Sequence, residues 1–150
     1  MTFEQSVEVP APAADVFALT QDYDRRLAWD PFLRSAALVG GARAAGVGVR
    51  AYCVARSGLG METEYVSFMP PRVAAVRMTR GPWFLARFAG SWRFQALGAG
   101  RTRVVFRYHL RARPRWLASW LTPVLAAAFR RDTRRRLDAL RAAFAPAAGR

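Results

Sequence analysis

The stretch FLARFAGSWRFQALGAGRTRVVFRYHLRA, residues 84–112, alternates apolar and polar side chains along two segments joined by the glycine-rich turn GAGR. This period of two predicts β-strands with one buried and one solvated face, paired as an antiparallel hairpin. The outer face carries arginine, serine, glutamine and His109 side chains. The predicted inner face carries Phe84, Ala86, Phe88, Gly90, Trp92 and Phe94 on the first strand, and Val104, Phe106, Tyr108 and Leu110 on the second.

Upstream of this hairpin the sequence predicts a strand, two short helices and further strands. FEQSVEV (3–9) alternates like a half-buried strand, and Pro12 can open a helix whose positive end suits Asp15. DYDRRLAWDPF (22–32) predicts a second short helix that Asp30-Pro31 ends. Further strands are predicted in FLRSAALV (32–39), VGVRAYCVAR (47–56), METEYVSF (61–68) and VAAVRM (73–78), the last two joined by the turn MPPR.

A long amphipathic helix follows the hairpin. Its apolar stripe, at 100° per residue, comprises Ala126, Phe129, Thr133, Leu137, Leu140 and Phe144. Its basic arc on the opposite side comprises Arg130, Arg131, Arg134, Arg135 and Arg141. A separate apolar arc upstream comprises Trp116, Leu117, Trp120, Leu121 and Val124. Pro123 between the two predicts a kink or a restart, so the two halves should face different surfaces.

Composition limits the class of protein. A chain of 150 residues predicts one domain, residues 1–150, with a substantial core. The net charge is +14, and residues 101–150 hold thirteen arginines and two acidic residues. Cys53 and His109 are the only cysteine and histidine, so we expect no metal and no cofactor. The uncharged run from Trp116 to Phe129 is shorter than the roughly 20 residues that span a bilayer, so a soluble, cytoplasmic protein is expected.

The order of these elements resembles the START-like, Bet v 1-like (SRPBCC) helix-grip superfamily. It is most similar to the bacterial polyketide cyclase/dehydrase and lipid-transport branch. The likeness is carried by VPAPAADVFALTQDYDRRLAWDPF (9–32), MPPRVAAVRM (69–78) and FRRDTRRRLDALRAAF (129–144). The resemblance implies an α+β fold in which an antiparallel curved sheet of about seven strands wraps the C-terminal helix. It also implies a hydrophobic cavity between sheet and helix, bordered by the start of that helix.

The aromatic side chains predict where a ligand would bind. The inward faces of the best strands supply several large rings, and we expect the segment from Trp116 to Leu121 to form a wall or lid of the cavity. The predicted ligand-binding residues are Phe17, Trp29, Tyr65, Phe88, Trp92, Phe106, Tyr108, Trp116, Leu117 and Trp120.

Signals for catalysis are sparse. His109 falls on the outer face, and the sequence contains no G-x-S-x-G motif for a serine hydrolase. In strict alternation Glu62 and Glu64 lie on the same face of the strand as Val66 and Phe68. If that face points inward, two carboxylates enter the cavity, where burial would suit them to acid–base chemistry. If it faces outward, Thr63 and Tyr65 point in and the glutamates offset nearby arginines; we favour this second alternative.

Three functions remain open from the sequence. The first is binding of a hydrophobic small molecule or lipid in the cavity. The second is a polyketide cyclase, aromatase or dehydrase that uses the same cavity, so whether the protein is an enzyme stays open. The third is a partner-binding protein that docks through its basic arc onto an anionic membrane or, less favoured, onto nucleic acid or a ribosome.

Overall fold

The fold places a long helix against one curved sheet. The structure, a computed structural model, describes residues 1–145. Its elements follow the predicted α+β order of strand, two short helices, six strands and a long helix. They are β1 (Thr2–Val9), α1 (Ala13–Gln21), α2 (Arg26–Trp29), β2 (Leu33–Leu38), β3 (Arg50–Ala55), β4 (Gly60–Met69), β5 (Val73–Arg80), β6 (Leu85–Gly98), β7 (Arg101–Ala112) and α3 (Arg115–Phe144).

The strands form a seven-stranded antiparallel sheet in the order β1-β7-β6-β5-β4-β3-β2. Strands β2 to β7 each pair with their neighbours in sequence, whereas β1 pairs with β7. The segment with α1 and α2 therefore carries the chain from one edge of the sheet to the other. Helix α1 packs against β6 and β7, and α2 packs against β2 and α3. This is the predicted helix-grip arrangement.

The β6–β7 hairpin confirms most of the predicted alternation. Along β7 every second residue from Thr102 to Ala112 is buried, and Trp92 and Phe94 of β6 are buried with them. The start of β6 differs, because the pairing register shifts between Leu85 and Arg87. Leu85 is consequently 1% exposed, although strict alternation with Phe84 and Phe88 would turn it to the outer face.

Strand β4 departs from strict alternation in the same way. Its register with β5 shifts between Glu62 and Thr63 and again between Tyr65 and Ser67. An extra residue in one strand turns the following side chains to the other face. The rings of Tyr65 and Phe68 therefore lie 5.5 Å apart on the inner side. Grouping Phe68 with the glutamates was wrong for this reason.

Helix α3 buries its predicted apolar stripe. Leu137 and Leu140 are fully buried, with Ala126 and Thr133 beside them, and the helix packs against β1 and β7. Complete burial of a leucine side chain contributes about 1.5–3 kcal/mol. Of the predicted kink or restart at Pro123, only the restart is wrong, since Arg115–Phe144 is one helix that includes this proline. Within residues 1–145 no helix combines the length and the hydropathy needed to cross a membrane.

Candidate functional site

A partly enclosed cavity of about 340 Å³ lies between the inner face of the sheet and the middle of α3. Sites that hold small ligands occupy about 300–1,000 Å³ and are mostly apolar with a few polar groups. Strands β2–β7 supply half of the lining residues, and the others come from α3, from the segment that holds α2 and from loops. The apolar wall includes Leu33, Val76, Leu85, Phe84, Leu125 and Phe129.

A second depression, of about 570 Å³, lies outside the sheet on β1, β6 and β7. Charged side chains line it, and Glu8 there accepts a hydrogen bond from Arg103 at 3.4 Å. It is open to solvent and polar, so it cannot enclose an apolar molecule. The cavity under α3 is therefore the candidate site.

Four of the ten predicted ligand-binding residues lie in the cavity wall: Tyr65, Phe88, Trp92 and Phe106. They belong to neighbouring strands, and the rings of Trp92 and Phe106 are 4.7 Å apart. Their contact with a ligand stays a prediction.

Three other predicted residues, Phe17, Trp29 and Tyr108, are buried in the core outside that wall. Phe17 packs edge-on against Phe68 and Phe94 with ring centroids 5.3 and 5.2 Å away. These aromatics share the inner face but are covered by other core side chains rather than by open space.

The residues predicted to form a lid do not border the cavity. Trp116 and Trp120 are 79% and 78% exposed, and neither they nor Leu117 line the cavity. The helical part of the wall comes from residues further along α3, namely Leu125, Ala128, Phe129, Asp132 and Arg136. The two tryptophans of the predicted apolar arc face solvent instead.

A buried charge cluster joins α2 to α3 at the edge of the cavity. The Nε groups of Arg26 and Arg136 each donate to Oδ2 of Asp30 at 2.9 Å, and Asp30 is 1% exposed. The backbone N–H of Phe32 donates to the other oxygen of Asp30 at 3.0 Å. Both arginines also line the cavity. Asp30 had been interpreted only as a helix stop, so this cluster is a feature that the sequence analysis missed.

The cluster keeps Asp30 and Arg26 charged. Burial alone would raise the pKa of Asp30, but the guanidinium groups of Arg136 and Arg26 hold that pKa below its ordinary value of 3.8. Burial likewise opposes the charge of Arg26, yet the Asp30 carboxylate outweighs it and raises the pKa of Arg26. Two cations therefore share one carboxylate inside the protein.

Stacking on aromatic rings positions these guanidinium groups. Arg26 lies 5.2 Å from the ring centroid of Trp29, and Arg136 lies 4.9 Å from that of Phe32. Such cation–π contacts engage the face of the guanidinium and leave its N–H edges available for hydrogen bonds.

A chain of hydrogen bonds leads away from the cavity, and each group in it donates to the next. The Tyr65 hydroxyl donates to Gln21 Oε1 at 2.6 Å, so it must accept from the Tyr23 hydroxyl at 3.0 Å. The Gln21 amide then donates to Thr20, whose hydroxyl donates to the carbonyl of Phe17. Burial raises the pKa of Tyr65 and of Tyr23, so both phenols stay protonated. The Tyr23 oxygen is left as an acceptor on the cavity wall.

The two glutamates of β4 follow the favoured outward alternative. Glu62 accepts a hydrogen bond from Thr79 at 2.8 Å and pairs with Arg50 at 3.5 Å. Glu64 pairs with Arg77 at 3.2 Å. Neither glutamate lines the cavity, whereas Thr63 and Tyr65 do. A pair of catalytic carboxylates is therefore not formed here.

The environments of Cys53 and His109 do not activate these side chains. Cys53 lines the cavity, and burial raises the pKa of its thiol, which disfavours the nucleophilic thiolate. His109 is exposed and its Nδ1 lies 3.0 Å from Thr2 Oγ1. Burial, the amino terminus, Arg87 and Arg111 lower the pKa of His109, so it is neutral near pH 7. Residues 1–145 contain no cluster of three histidine, cysteine or acidic side chains that could hold a metal.

The predicted basic arc is exposed but not wholly free. All five of its arginines, Arg130, Arg131, Arg134, Arg135 and Arg141, are exposed. Arg134 donates to the carbonyl of Ser6 at 3.0 Å and pairs with Asp138, while Arg130 stacks 4.6 Å over the ring of Phe3. Part of the arc thus fastens α3 to β1.

Comparison with known proteins agrees with this geometry. The sequence matches the family described as polyketide cyclase / dehydrase and lipid transport over residues 1–145. The chain belongs to that family, and its fold is that of the START-like, Bet v 1-like (SRPBCC) superfamily. No curated protein matches the sequence significantly.

Solved structures share the fold at low sequence identity. The Zhui aromatase/cyclase from Streptomyces sp. R1128 has a TM-score of 0.81 and 19% identity, over 93% of this chain and 90% of that one. Ara h 8.0201 has a TM-score of 0.75 and 14% identity, over 96% and 97%. A START superfamily protein from Mycobacterium smegmatis has a TM-score of 0.68 and 13% identity, over 93% and 98%.

Proposed function

We propose that this protein binds a hydrophobic small molecule or lipid in the cavity between the sheet and α3, without changing it chemically. The observation that carries the proposal is the cavity itself, which has a volume of about 340 Å³ and is lined by mainly apolar and aromatic side chains. Such a wall forfeits dispersion contacts when nothing fills it, and an apolar ligand restores them. The family to which the chain belongs supports ligand binding in this fold.

The ionisable groups of the wall favour a binder over an enzyme. A general acid or base works best when its pKa lies near the working pH. Burial moves the pKa of the Cys53 thiol and of the tyrosines upward, and the arginines move that of Asp30 downward. None of these pKa values is shifted toward pH 7.

A second candidate is a polyketide cyclase, aromatase or dehydrase that uses the same cavity. The likeness to the Zhui aromatase/cyclase favours it. Asp132 is a carboxylate on the wall that makes no ion pair within residues 1–145, and Tyr23 lines the same wall. Conversion of an added linear poly-β-ketone, with loss of conversion in Asp132→Asn, would establish this activity in place of simple binding.

Filling the cavity with a large side chain should weaken ligand binding strongly. Thr63 lines the cavity from β4, and we expect Thr63→Trp to weaken binding of the neutral dye Nile red by about tenfold or more, since an indole would occupy the ligand's space. Fluorescence titration measures the dye, and native mass spectrometry of the purified protein measures any ligand that it carries.

The matched control for this experiment is Val66→Trp on the same strand. Val66 is 50% exposed and does not line the cavity, so dye affinity should be unchanged. Equal loss in both variants, or dye binding that survives Thr63→Trp, would place the bound dye outside the cavity.

A further candidate activity is docking on an anionic membrane. Trp116 and Trp120 are one helical turn apart and point to solvent, with Val124 64% exposed beside them. The adjoining Arg113 and Arg115 are exposed as well. Leu125 and Ala128, further along the same helix, line the cavity, so a docked membrane would lie close to it. Exposed tryptophans with arginines suit the interface of anionic lipids.

Removing both indoles should separate membrane docking from docking on nucleic acid. We expect Trp116→Ala/Trp120→Ala to reduce co-sedimentation with phosphatidylserine vesicles by about tenfold, because the rings contribute buried apolar area. Vesicles of phosphatidylcholine alone serve as the control for charge. Retained vesicle binding by the double variant would contradict this role of the tryptophans. Binding of the wild type to RNA but not to vesicles would favour a nucleic-acid partner.

A further inference from the structure

We propose that the cavity selects ligands whose polar end is an anionic oxygen group, typified by a carboxylate, which Arg26 and Arg136 would hold; this specificity rests on the proposed binding function. Both arginines line the cavity that the hydrophobic part of the ligand would fill. An arginine fork matches the two oxygens of a carboxylate, and such charge-assisted bonds are the strong ones.

The first support is the number of N–H donors that the fold leaves unused. Arg26 donates from Nε to Asp30 at 2.9 Å and from Nη1 to the carbonyl of Thr20 at 2.7 Å. Arg136 donates from Nε to Asp30 at 2.9 Å. Hydrogen bonds among the described residues thus leave Nη2 of Arg26 and both Nη groups of Arg136 without an acceptor. Neither arginine is among the fully buried groups that lack a partner, and both residues line the cavity.

The second support is the balance of charge. Asp30 is enclosed and already shared by two guanidinium groups, so the cluster carries an excess of one positive charge in largely apolar surroundings. The rings of Phe32, Trp92 and Phe106 lie 4.9–6.0 Å from the Arg136 guanidinium and restrict its movement. An anion brought in by a ligand would neutralise the excess where water is scarce.

One residue opposes an anionic ligand and thereby supplies a test. Asp132 lines the same wall one helical turn before Arg136, and it forms no ion pair with another of residues 1–145. Its charge should repel a bound carboxylate. Removing that charge should therefore strengthen binding of an acid relative to binding of its neutral ester.

The apolar part of the wall defines the rest of the ligand. Val76, Leu85, Phe88, Leu125 and Phe129 offer aliphatic and aromatic surface, so either an alkyl chain or a fused aromatic ring would fit the chemistry. The shared feature is one anionic oxygen group on an otherwise apolar body.

The experiment compares acids with their methyl esters as competitors of bound Nile red near neutral pH. One pair is decanoate and methyl decanoate; the other is 2-naphthoate and methyl 2-naphthoate. We expect the acid to compete about tenfold better than its ester in at least one pair, the size of one charge-assisted hydrogen bond. The pair that shows the preference identifies the body of the ligand as alkyl or aromatic.

Two variants test whether these charged side chains cause the preference for acids over esters. Arg136→Gln should reduce the acid-to-ester ratio about tenfold, and Asp132→Asn should raise it. Asp132→Asn breaks no ion pair within residues 1–145, so it keeps the test decisive if Arg136→Gln does not fold. Dye binding without any preference for acids, or a preference that Asp132→Asn leaves unchanged, would overturn the specificity. Failure of the dye to bind at all would instead overturn the proposed binding function.

Discussion

Replacing Leu137 with aspartate is expected to unfold the domain. Leu137 is fully buried in the stripe of α3 that faces the sheet. The substitution removes apolar contacts and places a carboxylate where nothing can pair with it. A cost of more than about 4 kcal/mol is a large part of the roughly 5–15 kcal/mol that holds a domain folded. Circular dichroism and urea unfolding measure the loss.

Val124→Asp provides the matched control on the same helix. Val124 is 64% exposed, so the same charge stays hydrated and the free energy of unfolding should change by about 0.5 kcal/mol or less. Similar effects of the two substitutions would mean that α3 is rotated from the orientation described above.

Replacing Asp30 with asparagine is expected to have the second largest effect on stability. Asp30 alone balances Arg26 and Arg136, whose side chains are 6% and 14% exposed. Removing its charge leaves two buried cations close together, and breaking a buried pair in this way costs about 3–5 kcal/mol. The surface pair of Asp22 and Arg25, at 2.8 Å, is the control, because Asp22→Asn should cost about 0–1 kcal/mol.

The dependence on pH tests the same cluster independently. Since the folded pKa of Asp30 lies below the ordinary 3.8, its ionisation stabilises the fold above that pH. This contribution should disappear as the pH falls from about 4 through the lowered pKa. Urea unfolding between neutral and acidic pH should therefore show a smaller acid loss in Asp30→Asn than in the wild type. Parallel curves for the two proteins would contradict the lowered pKa.

The architecture could be predicted from the sequence because long regular patterns determine it. The alternation along β6 and β7 and the helical stripe around Leu137 each span many residues, so local exceptions do not hide them. Strict alternation fails at Leu85 and at Phe68, because a register shift separates each of them from the regular part of its strand. A single extra residue leaves no trace in a short alternating pattern.

The candidate site was less predictable, because it depends on which side chains meet across the fold. Trp92 and Phe106 could be placed in the wall from strand parity alone. Arg136 and Asp30 are 106 positions apart in sequence, so no local pattern joins them. One signal was available: Arg136 lies three residues after Thr133 and one before Leu137, beside the buried stripe, where an arginine needs a partner. The exposed Trp116 shows the converse, since an apolar helix face does not reveal whether anything covers it.

The pairing of β1 with β7 has a consequence for how this chain folds as it is synthesised. Thr2 pairs with His109, 107 positions later, and the side chain of Gln5 bonds the backbone of Arg130 on the helix beyond. Strand β1 therefore gains its partner only after β7 has been synthesised. Such distant pairings slow folding and leave an unpaired edge open to aggregation in the meantime. The alternating glutamates Glu4 and Glu8 give that waiting edge a charge that opposes self-association.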